Sequence, residues 1–395
     1  MSKVEWKRIW ELTTWDKRFQ GVDKSMQVKV KQYPYLLAKD LFALSVPNGD
    51  VKLLSTGVQE GWTTEKVAGK YLCEGEIVSI PWGKSPGAKN PVKYYNGKFV
   101  TGDNRIATSS DTDVLNNKFL YYWFIRNSDL LDTFYRGAGI QHPSMYMVLT
   151  MYIPLLPISE QNRIVDIFDT FTASIDNLKE QIAQRRKQYE YYRDQLLDLE
   201  GKDEKDILSW GEFCKMTKGN GVQKVDFVDE GVGCIHYGQI YTHYGPYAYE
   251  TNKFVSKEVF DKAKKASKGD IIMTDTSENV EDICKSVAWL GENDIAVSNH
   301  ALIIKHKQNP KFLSYSTQTN SFFIQKRKVV VGVKVSGIKP DDLAKIKIYL
   351  PAIEVQNRIV SLLDTFEASI QNLEAQLSQR EKQYEYYRNK LLTFE

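Results

Sequence analysis

Two short stretches of the sequence imitate catalytic motifs, and both lack essential parts. The stretch NPVKY at 90–94 resembles the Asn/Asp-Pro-Pro-aromatic motif with which amino-methyltransferases hold a target amine, but it lacks the second proline and the correctly placed aromatic residue. The stretch DEK at 203–205 imitates the acidic-x-Lys step of nucleases without a Pro-Asp partner upstream. The five histidines have no HExxH or CxxC companions, and no GxxxxGK[ST] phosphate loop occurs. We therefore predict that the chain has no catalytic residues and no metal site.

Composition and hydropathy limit the class of protein. With 395 residues, the chain is long enough for two or three domains, each with its own core. It contains no apolar run of about 18 residues and no N-terminus that resembles a signal peptide, so we expect no membrane span. The four cysteines are scattered without a CxxC pair. This argues against a disulfide framework and predicts a cytoplasmic protein.

The net charge of +3 is distributed unevenly along the chain. Residues 1–158 carry 20 Lys/Arg against 15 Asp/Glu, an excess of +5, and residues 209–354 carry 20 against 17, an excess of +3. Residues 159–208 carry 8 against 12, or −4, and residues 355–395 carry 5 against 6, or −1. The two basic segments suggest an anionic partner, and an incidental excess is the alternative.

A duplicated block of sequence must position the two basic segments. Residues 161–200 and 356–395 are identical at 26 of 40 positions when they are aligned with an offset of 195 residues. Both copies open with QNRIV and share the heptapeptide KQYEYYR. Two copies are too few for a solenoid, so we interpret the chain as a duplicated half-molecule.

The apolar residues of each block recur with steps of four and three, which is the 3.5-residue period of a coiled-coil seam. The predicted seam residues are Ile164, Phe168, Phe171, Ile175, Leu178, Ile182, Tyr189, Tyr192 and Leu196 in the first copy, and Ile359, Leu363, Phe366, Ile370, Leu373, Leu377, Tyr384, Tyr387 and Leu391 in the second. Arg185 and Arg380 occupy the one skipped seam position. The periodic parts lack Gly and Pro, so each block is expected to run as one helix, with a length of about 54 Å from Ile164 to Leu199 in the first copy.

The layout resembles the DNA-specificity subunit of type I restriction-modification enzymes. The resemblance rests on LPISEQNRIVDIFDTF at 156–171 and LPAIEVQNRIVSLLDTF at 350–366, each of which follows a variable segment and leads into the predicted helix. The second copy has Val355-Gln356 where the first has the familiar Glu160-Gln161 pair.

The resemblance implies an α/β (α+β) fold with two target-recognition domains separated by an antiparallel coiled coil of two long helices, related by a pseudo-twofold internal repeat. The expected boundaries are a first domain over 1–158, a first helix over 159–200, a linker over 201–208, a second domain over 209–354 and a second helix over 355–395. Each domain would read one half of a bipartite, asymmetric DNA sequence. The helices would set the gap and dock the methylation subunits.

The resemblance also implies partners and cofactors. The expected partners are double-stranded DNA, two methylation subunits and the restriction, or motor-nuclease, subunits of a bacterial or archaeal complex. The chain itself would need no cofactor, because S-adenosylmethionine would bind the methylation subunits, and ATP and Mg²⁺ the motor-nuclease subunits. The alternative is a protein-interaction scaffold that does not contact DNA.

Side-chain chemistry suggests which residues of the first domain contact DNA, since Arg and Lys suit guanine or phosphate and Asn and Gln suit adenine. The loop-like stretch 79–98 mixes Gly, Pro, Lys and aromatic residues, with a solvated hairpin as the alternative. A turn at 102–105 and a glycine-containing loop at 135–142 follow. The candidates are Lys84, Lys89, Lys93, Asn104, Arg105, Arg136, Gln141 and His142.

The second domain offers four such stretches. KGNG at 218–221 and IHYGQIYTHYG at 235–245 combine polar and aromatic residues, with packing of Tyr237 and Tyr241 as the alternative for the second stretch. SNH at 298–300 ends an apolar run, and QKRK at 325–328 is a dense basic cluster for which a solvated face is the alternative. The candidates are Lys218, Asn220, Gln239, Asn299, His300, Lys326, Arg327 and Lys328.

Overall fold

The computed structural model describes residues 4–87, 92–332 and 336–394. The chain forms two compact units: unit 1 comprises Met1–Asn177 and Leu377–Glu395, and unit 2 comprises Leu178–Gln376. Each unit contains one globular domain together with segments of both long helices. None of the helices in the described ranges combines the length and the apolar character that a membrane span requires.

The globular domain of unit 1 combines strands with short helices and leads into the first long helix. Its strands are β1 (Glu5–Arg8), β2 (Thr13–Trp15), β3 (Val51–Leu54), β4 (Glu60–Thr63), β5 (Cys73–Pro81), β6 (Lys93–Thr101), β7 (Asn104–Ser109), β8 (Tyr135–Arg136), β9 (His142–Pro143) and β10 (Tyr152–Leu155). Its helices are α1 (Ile9–Leu12), α2 (Ala38–Ala43), α3 (Glu65–Ala68), α4 (Asn117–Arg126), α5 (Ser128–Asp132), α6 (Met145–Thr150) and the long α7 (Ile158–Leu197).

A six-stranded sheet in the order β2-β7-β5-β6-β3-β4 forms the centre of this domain. The last five residues of β5, IVSIP, are all buried. Such a continuous buried run is typical of a strand that is covered on both faces. The largest core cluster of unit 1 contains Phe119 of α4 and Phe168 of α7, and it also contains Leu392 from the C-terminal segment. The long helices therefore belong to the core of the domain.

Unit 2 contains the second globular domain, which leads into the second long helix. Its strands are β11 (Ile207–Ser209), β12 (Lys215–Lys218), β13 (Phe227–Val228), β14 (Val232–Ile235), β15 (Tyr247–Ala248), β16 (Lys253–Val255), β17 (Lys265–Ala266), β18 (Ile271–Thr274), β19 (Thr276–Ser277), β20 (Ser286–Trp289), β21 (Ile295–Val297), β22 (Ala301–Lys305), β23 (Ser336–Gly337) and β24 (Lys347–Tyr349). Its helices are α8 (Trp210–Phe213), α9 (Tyr237–Thr242), α10 (Lys257–Lys262), α11 (Pro310–Ser316), α12 (Asn320–Val329), α13 (Pro340–Leu343) and the long α14 (Ile353–Leu391).

Two five-stranded sheets, β12-β22-β18-β20-β15 and β13-β16-β14-β21-β17, organise this second domain. The strand β11 pairs with β24, as β1 pairs with β10 in unit 1. Ile207 and Leu208, which the sequence assigned to the linker, therefore form backbone pairs within the domain. The charged residues 201–206 precede this pairing.

The two domains share a three-stranded antiparallel centre. In unit 1, Ala107 of β7 lies between Trp15 of β2 and Val78 of β5. In unit 2, Ile304 of β22 lies between Met216 and Ile271 in the same way. The three strands β2, β7 and β5 thus correspond in register to β12, β22 and β18.

The long helices carry the predicted seam on their buried side. Phe168 and Leu363 are fully buried at matching positions of α7 and α14. Within unit 2 the two helices run antiparallel, because Arg186 pairs with Glu374 while Tyr192, further along α7, stacks on Phe366, which precedes Glu374 in α14. The expected α/β class is confirmed. The chain has two globular domains and two long antiparallel helices that are copies of each other.

Two of the predicted seam tyrosines are only partly covered. Tyr192 and Tyr387 are 45% and 40% exposed, although each ring packs on a seam phenylalanine of the other helix, Phe366 and Phe171 respectively. At the skipped seam positions, the guanidinium groups of Arg185 and Arg380 lie 5.8 and 5.7 Å from the ring centroids of Phe366 and Phe171. Arginine thus covers an aromatic ring where the apolar pattern is interrupted.

A buried glutamine joins each long helix to its globular domain. Gln161 is fully buried, and its Oε1 accepts a hydrogen bond from the backbone N–H of Asn116 (2.9 Å). Its Nε2 donates to the carbonyls of Val114 (2.8 Å) and Leu156 (2.9 Å). In unit 2, Gln356 is equally buried and accepts from the backbone N–H of Asn309 (3.0 Å). Because all three polar contacts of the amide are satisfied, each glutamine fixes its helix at low desolvation cost.

A charged cluster repeats the connection two turns further along each helix. In unit 1, Asp169 accepts hydrogen bonds from Lys118 Nζ and the Tyr122 hydroxyl, both at 2.7 Å. In unit 2, Asp364 accepts from Lys311 Nζ (2.8 Å) and the Tyr315 hydroxyl (2.7 Å). We refer to each glutamine, together with the partnered Asn, Lys, Tyr and Asp, as the helix clasp.

The domain half of the clasp is a repeat that the sequence analysis missed. It consists of NNKFLYY at 116–122 and NPKFLSY at 309–315, which share N-x-K-F-L-x-Y. The asparagine caps the following helix, since Asn116 Oδ1 accepts from the Phe119 N–H and Asn309 Oδ1 from the Phe312 N–H. Its offset of 193 residues differs from the 195 of the long helices, so a single alignment does not superimpose both parts.

We predict that Gln161→Ala lowers the unfolding free energy by about 3 kcal/mol, since it leaves buried backbone groups of Asn116, Val114 and Leu156 without a partner. Calorimetry of the intact chain measures this loss. The control is Gln184→Ala on the exposed face of the same helix, which should stay within about 0.5 kcal/mol of wild type. Equal losses for both variants would contradict a special role of Gln161.

Candidate nucleic-acid interface

Two loops of unit 1 that the sequence singled out lie side by side. The backbone N–H groups of Lys84 and Gln141 each donate to the other residue's carbonyl, at 3.0 and 2.8 Å. The rings of Trp82 and His142 lie 4.7 Å apart, and His142 Nδ1 is 2.9 Å from the Trp82 carbonyl. Residues 82–87 and 136–142 therefore form one surface, which we call the unit 1 loop surface.

Several side chains of this surface are available to a partner. Arg136 and His142 are exposed, Ile140 is 67% exposed and Gln141 is half-buried. The Arg136 guanidinium is held over its own turn by the carbonyls of Thr133 and Tyr135. Gly137 adopts φ +137°, and a Cβ there would lie 2.7 Å from the Ile140 carbonyl oxygen, so the turn requires glycine. Arg136, Gln141 and His142 stay predicted DNA contacts.

The predicted lysines of this region make contacts within unit 1. Lys84 is 7% exposed, and its Nζ lies 2.7 Å from Asp132 Oδ1 and 4.5 Å from the centroid of the Tyr135 ring. Lys93 donates to the Ser55 carbonyl (2.9 Å), and burial lowers the pKa of its amine. We therefore correct both predictions, because these ammonium groups hold loops together instead of facing outward. Lys89 lies outside the described residues.

Asn104 and Arg105 are also corrected. The Asn104 amide is buried and donates to the Leu54 carbonyl (3.0 Å) and to Thr101 Oγ1 (3.2 Å). Arg105 is 5% exposed, ion-paired with Asp103 at 2.7 Å, and stacked 3.9 Å from the Trp82 ring centroid. These side chains support the strand ends, and the exposed part of the turn is Asp103.

In unit 2, most candidates near the strand ends remain accessible. Lys218 and His300 have side chains that are 56% and 48% exposed, and both approach the buried carboxylate of Asp275. Asn220 is exposed, although its Oδ1 accepts from the Lys264 N–H (2.7 Å). Asn299 is half-buried, and no described residue donates to its Oδ1. These four residues stay predicted DNA contacts.

Gln239 and Lys326 are corrected because both are buried. Gln239 is 9% exposed, and its side chain bonds Asn252 and the His236 N–H. Lys326 is 4% exposed and donates to the carbonyls of Glu281 (2.9 Å) and Ile283 (2.7 Å), and burial lowers the pKa of its amine. Its neighbours Arg327 and Lys328 are exposed on α12 and stay predicted contacts.

Asp275 is a residue of this region that the sequence analysis missed. Its residue exposure is 3%, its Oδ2 lies 2.8 Å from Lys218 Nζ, and no described residue donates to its Oδ1. The signal was present, since Asp275 directly follows the apolar strand β18. A carboxylate at such a position is either paired or functional.

The long helices expose a repeated pair of tyrosines beside the seam. Tyr191 is 60% exposed and Tyr386 is 59% exposed, at matching positions of the two KQYEYYR segments. Each packs edge-on against the next tyrosine of its own helix, with centroids 5.3 Å apart. Amphipathic rings that remain exposed on a rigid helix are typical of protein contact surfaces.

One titratable group distinguishes the two clasps. Where α7 has Thr172, α14 has Glu367, whose Oε2 lies 3.0 Å from the Tyr315 hydroxyl oxygen that also contacts Asp364. Burial raises the pKa of the Glu367 carboxyl, and the nearby Asp364 raises it further, while Tyr315, Tyr247 and Lys311 oppose the shift. Ionised Glu367 is therefore a destabilising feature of the second clasp.

Comparison with known proteins gives a consistent result across the chain. The family model for the type I restriction modification DNA specificity domain matches twice, over residues 37–185 and 205–381. A Haemophilus influenzae protein with the provisional name of a type I restriction enzyme specificity subunit is 28% identical over 342 residues, covering 82% of this chain and 84% of that protein. The EcoR124I/EcoR124II specificity subunit of Escherichia coli is 28% identical over 314 residues, covering 73% and 74%.

Solved structures show the same fold. The S subunit of a type I restriction-modification system from M. genitalium matches with a TM-score of 0.62 at 16% identity, covering 100% of this chain and 98% of that one. A chain from a structural study of complex assembly in the type I restriction-modification system matches with a TM-score of 0.55 at 14% identity, covering 99% and 97%.

We predict that Glu367→Gln stabilises the protein at pH 8 and has little effect at pH 4.5. Because the folded-state pKa is raised, the folded chain retains a proton that the unfolded chain releases, so unfolding free energy falls as pH rises above the ordinary range of a glutamate. The neutral amide removes this loss, and a gain of about 2–4 °C in the unfolding midpoint is expected at pH 8. Glu354→Gln, at an exposed position of the same helix, is the control. A gain that is equal at both pH values would refute the assignment.

Proposed function

This chain belongs to the family of type I restriction-modification DNA specificity subunits, and from that membership we propose that each globular domain reads one half of a bipartite, asymmetric DNA sequence. The single observation that carries the proposal is that the two domains share a scaffold but have unlike loops. Both domains use the same helix clasp and the same three-stranded centre. Their loops present different side chains at the ends of those strands.

Independent reading follows from this arrangement. The loop surface of unit 1 offers Arg136, Gln141 and His142, whereas unit 2 offers Lys218, Asn299 and His300. Two unlike sets of hydrogen-bonding groups select two unlike base sequences, and lysines or arginines beside them contact phosphate. An asymmetric target therefore suits a duplicated molecule whose two domains share a three-stranded centre and carry unlike loops at its strand ends.

We further propose that the duplicated helices set the gap between the half-sites and dock two methylation subunits. The support is the repetition of exposed Tyr191 as Tyr386, which offers the same contact surface twice. Motor-nuclease subunits join this assembly. In this proposal the chain is non-catalytic: S-adenosylmethionine binds the methylation subunits, and ATP and Mg²⁺ bind the motor-nuclease subunits.

The alternative, a scaffold that does not contact DNA, is not favoured. A scaffold accounts for the helices but gives no reason for two domains that share a three-stranded centre and present unlike loops at its strand ends. The family to which the chain belongs is itself described by DNA specificity.

Exchanging residues 1–158 for the corresponding segment of another family member should change one half-site and leave the other unchanged. Each domain has its own sheets and its own loops, so no described strand pairing of unit 2 depends on the exchanged segment. The measurement is sequencing of adenine methylation in a host that expresses the chain with its methylation subunits. The matched control exchanges residues 209–354 and should change only the other half-site. A change of both half-sites by either exchange refutes independent reading.

Inserting one heptad into each long helix, after Leu178 and after Leu373, should widen the gap without altering either half-site. These matching seam positions preserve the 3.5-residue period. Seven residues add about 10.5 Å of helix, so the gap should grow by no more than about 3 base pairs. Insertion of the same heptad into the 201–206 segment is the control and should leave the gap unchanged. An unaltered gap in the helix variant refutes the role of the helices as a spacer.

A further inference from the structure

The shared three-stranded centre places one residue of each domain at an equivalent strand end. Pro81 pairs with Asn104 in unit 1, and Thr274 pairs with Ala301 in unit 2. The residues immediately before β7 and β22 are therefore Asp103 and His300. By the same register, Lys17 follows β2 where Lys218 ends β12.

In unit 1, the residue at this position is a carboxylate held from two sides. Asp103 Oδ1 lies 2.7 Å from Arg105 NH1 and 3.8 Å from Lys17 Nζ. Arg105 is itself immobilised against the Trp82 ring. The side chain of Asp103 is 26% exposed, and it lines the same cleft as Trp82, Ile140 and His142. Asp103 thus presents a fixed hydrogen-bond acceptor beside the unit 1 loop surface.

In unit 2, the same position holds an imidazole on a left-handed backbone. His300 has φ +65°, a conformation that is uncommon for residues other than Gly and in which Asn, Asp and His are enriched. Its ring packs edge-on against Tyr237, with centroids 5.3 Å apart, and Nδ1 is 3.9 Å from Asp275 Oδ1. The Asp275 backbone N–H donates to the His300 carbonyl at 3.1 Å. The side chain remains 48% exposed despite these constraints.

The buried carboxylate of Asp275 lies beside the His300 imidazole. Asp275 Oδ2 is paired with Lys218, whereas Oδ1 faces His300 and has no hydrogen-bond donor among the described residues. A small shift of the imidazole brings Nδ1–H into hydrogen-bond distance and leaves Nε2 pointing outward, as carboxylates do for histidines at metal sites. A buried acceptor of this kind costs free energy unless it acquires a donor.

We propose that the residue at this strand end, Asp103 in unit 1 and His300 in unit 2, determines one base of each half-site. This inference rests on the proposed function and specifies its residues. The Asp103 carboxylate accepts a hydrogen bond from the exocyclic amine of cytosine or adenine, and the outward nitrogen of His300 bonds a base edge in the second half-site. Asp275 is a positioning residue for His300. Lys17 and Lys218 flank the reading position and contact phosphate.

The test is adenine-methylation sequencing of hosts that express the full chain with its methylation subunits. His300→Asn and His300→Gly both suit a positive φ, so they remove the imidazole without disturbing the backbone. Each should reduce discrimination at one base pair of the second half-site by about tenfold. Asp103→Asn should act on one base pair of the first half-site only. The two positions therefore serve as matched controls for each other.

Asp275→Asn separates positioning from a purely structural role. It should relax the same base pair as His300→Asn, whereas a structural defect would lower methylation at all sites without altering the recognised sequence. Thermal unfolding establishes that each variant is folded. Wild-type methylation of a bipartite site combined with an unchanged sequence in the folded His300 variants would overturn this inference alone. Absence of any sequence-specific methylation by the wild-type assembly would instead overturn the proposed function.

Discussion

The fold depends on a buried glutamine amide that occurs at the start of each long helix. Gln161 and Gln356 lie where each long helix leaves its domain. Gln161 satisfies its amide with main-chain groups of that domain, and Gln356 does so with main-chain groups and the side-chain carbonyl of Gln308. A buried polar group that is fully paired specifies geometry, since any other helix position would leave its donors and acceptors unpaired. The Lys–Asp–Tyr contacts two turns later fix the rotation of the same helix. With the helix fixed, the strand ends and their loops are free to vary.

This division explains where the two domains differ. The strands β2, β7 and β5 and their counterparts in unit 2 preserve register because their side chains are packed and their backbones paired. At Gly219 the constraint extends into a loop, because a Cβ there would lie 2.4 Å from the Ser298 carbonyl oxygen. Beyond the strand ends, the side chains of Asp103 and His300 are partly exposed. Aspartate at 103 and histidine at 300 are alternatives that the same scaffold accepts.

The long helices could be predicted well from the sequence because their apolar seam residues recur with a period of 3.5 residues and because this pattern occurs twice. The residues of the candidate interface were predicted less well because the type of a residue does not show whether its side chain is buried. Lys326 and Asn104 have the chemistry of DNA contacts, but their polar atoms are used by main-chain carbonyls that lie far away in the sequence. Asp275 was missed for the converse reason, since its significance depends on Lys218 and His300, which arrive from other strands. The domain half of the clasp was missed because its offset differs by two residues.

The duplicated heptapeptide KQYEYYR follows from how the cores are completed. Its first copy lies in unit 2, where Tyr189 packs against the core that contains Leu197, Phe312 and Leu363. Its second copy lies in unit 1, where Tyr384 packs against the core that contains Phe168 and Leu392. Each domain therefore requires the end of the helix that begins in the other unit. Neither half of the chain contains all the residues that pack in its own domain core. The heptapeptide must therefore be present twice for a single chain to fold both domains.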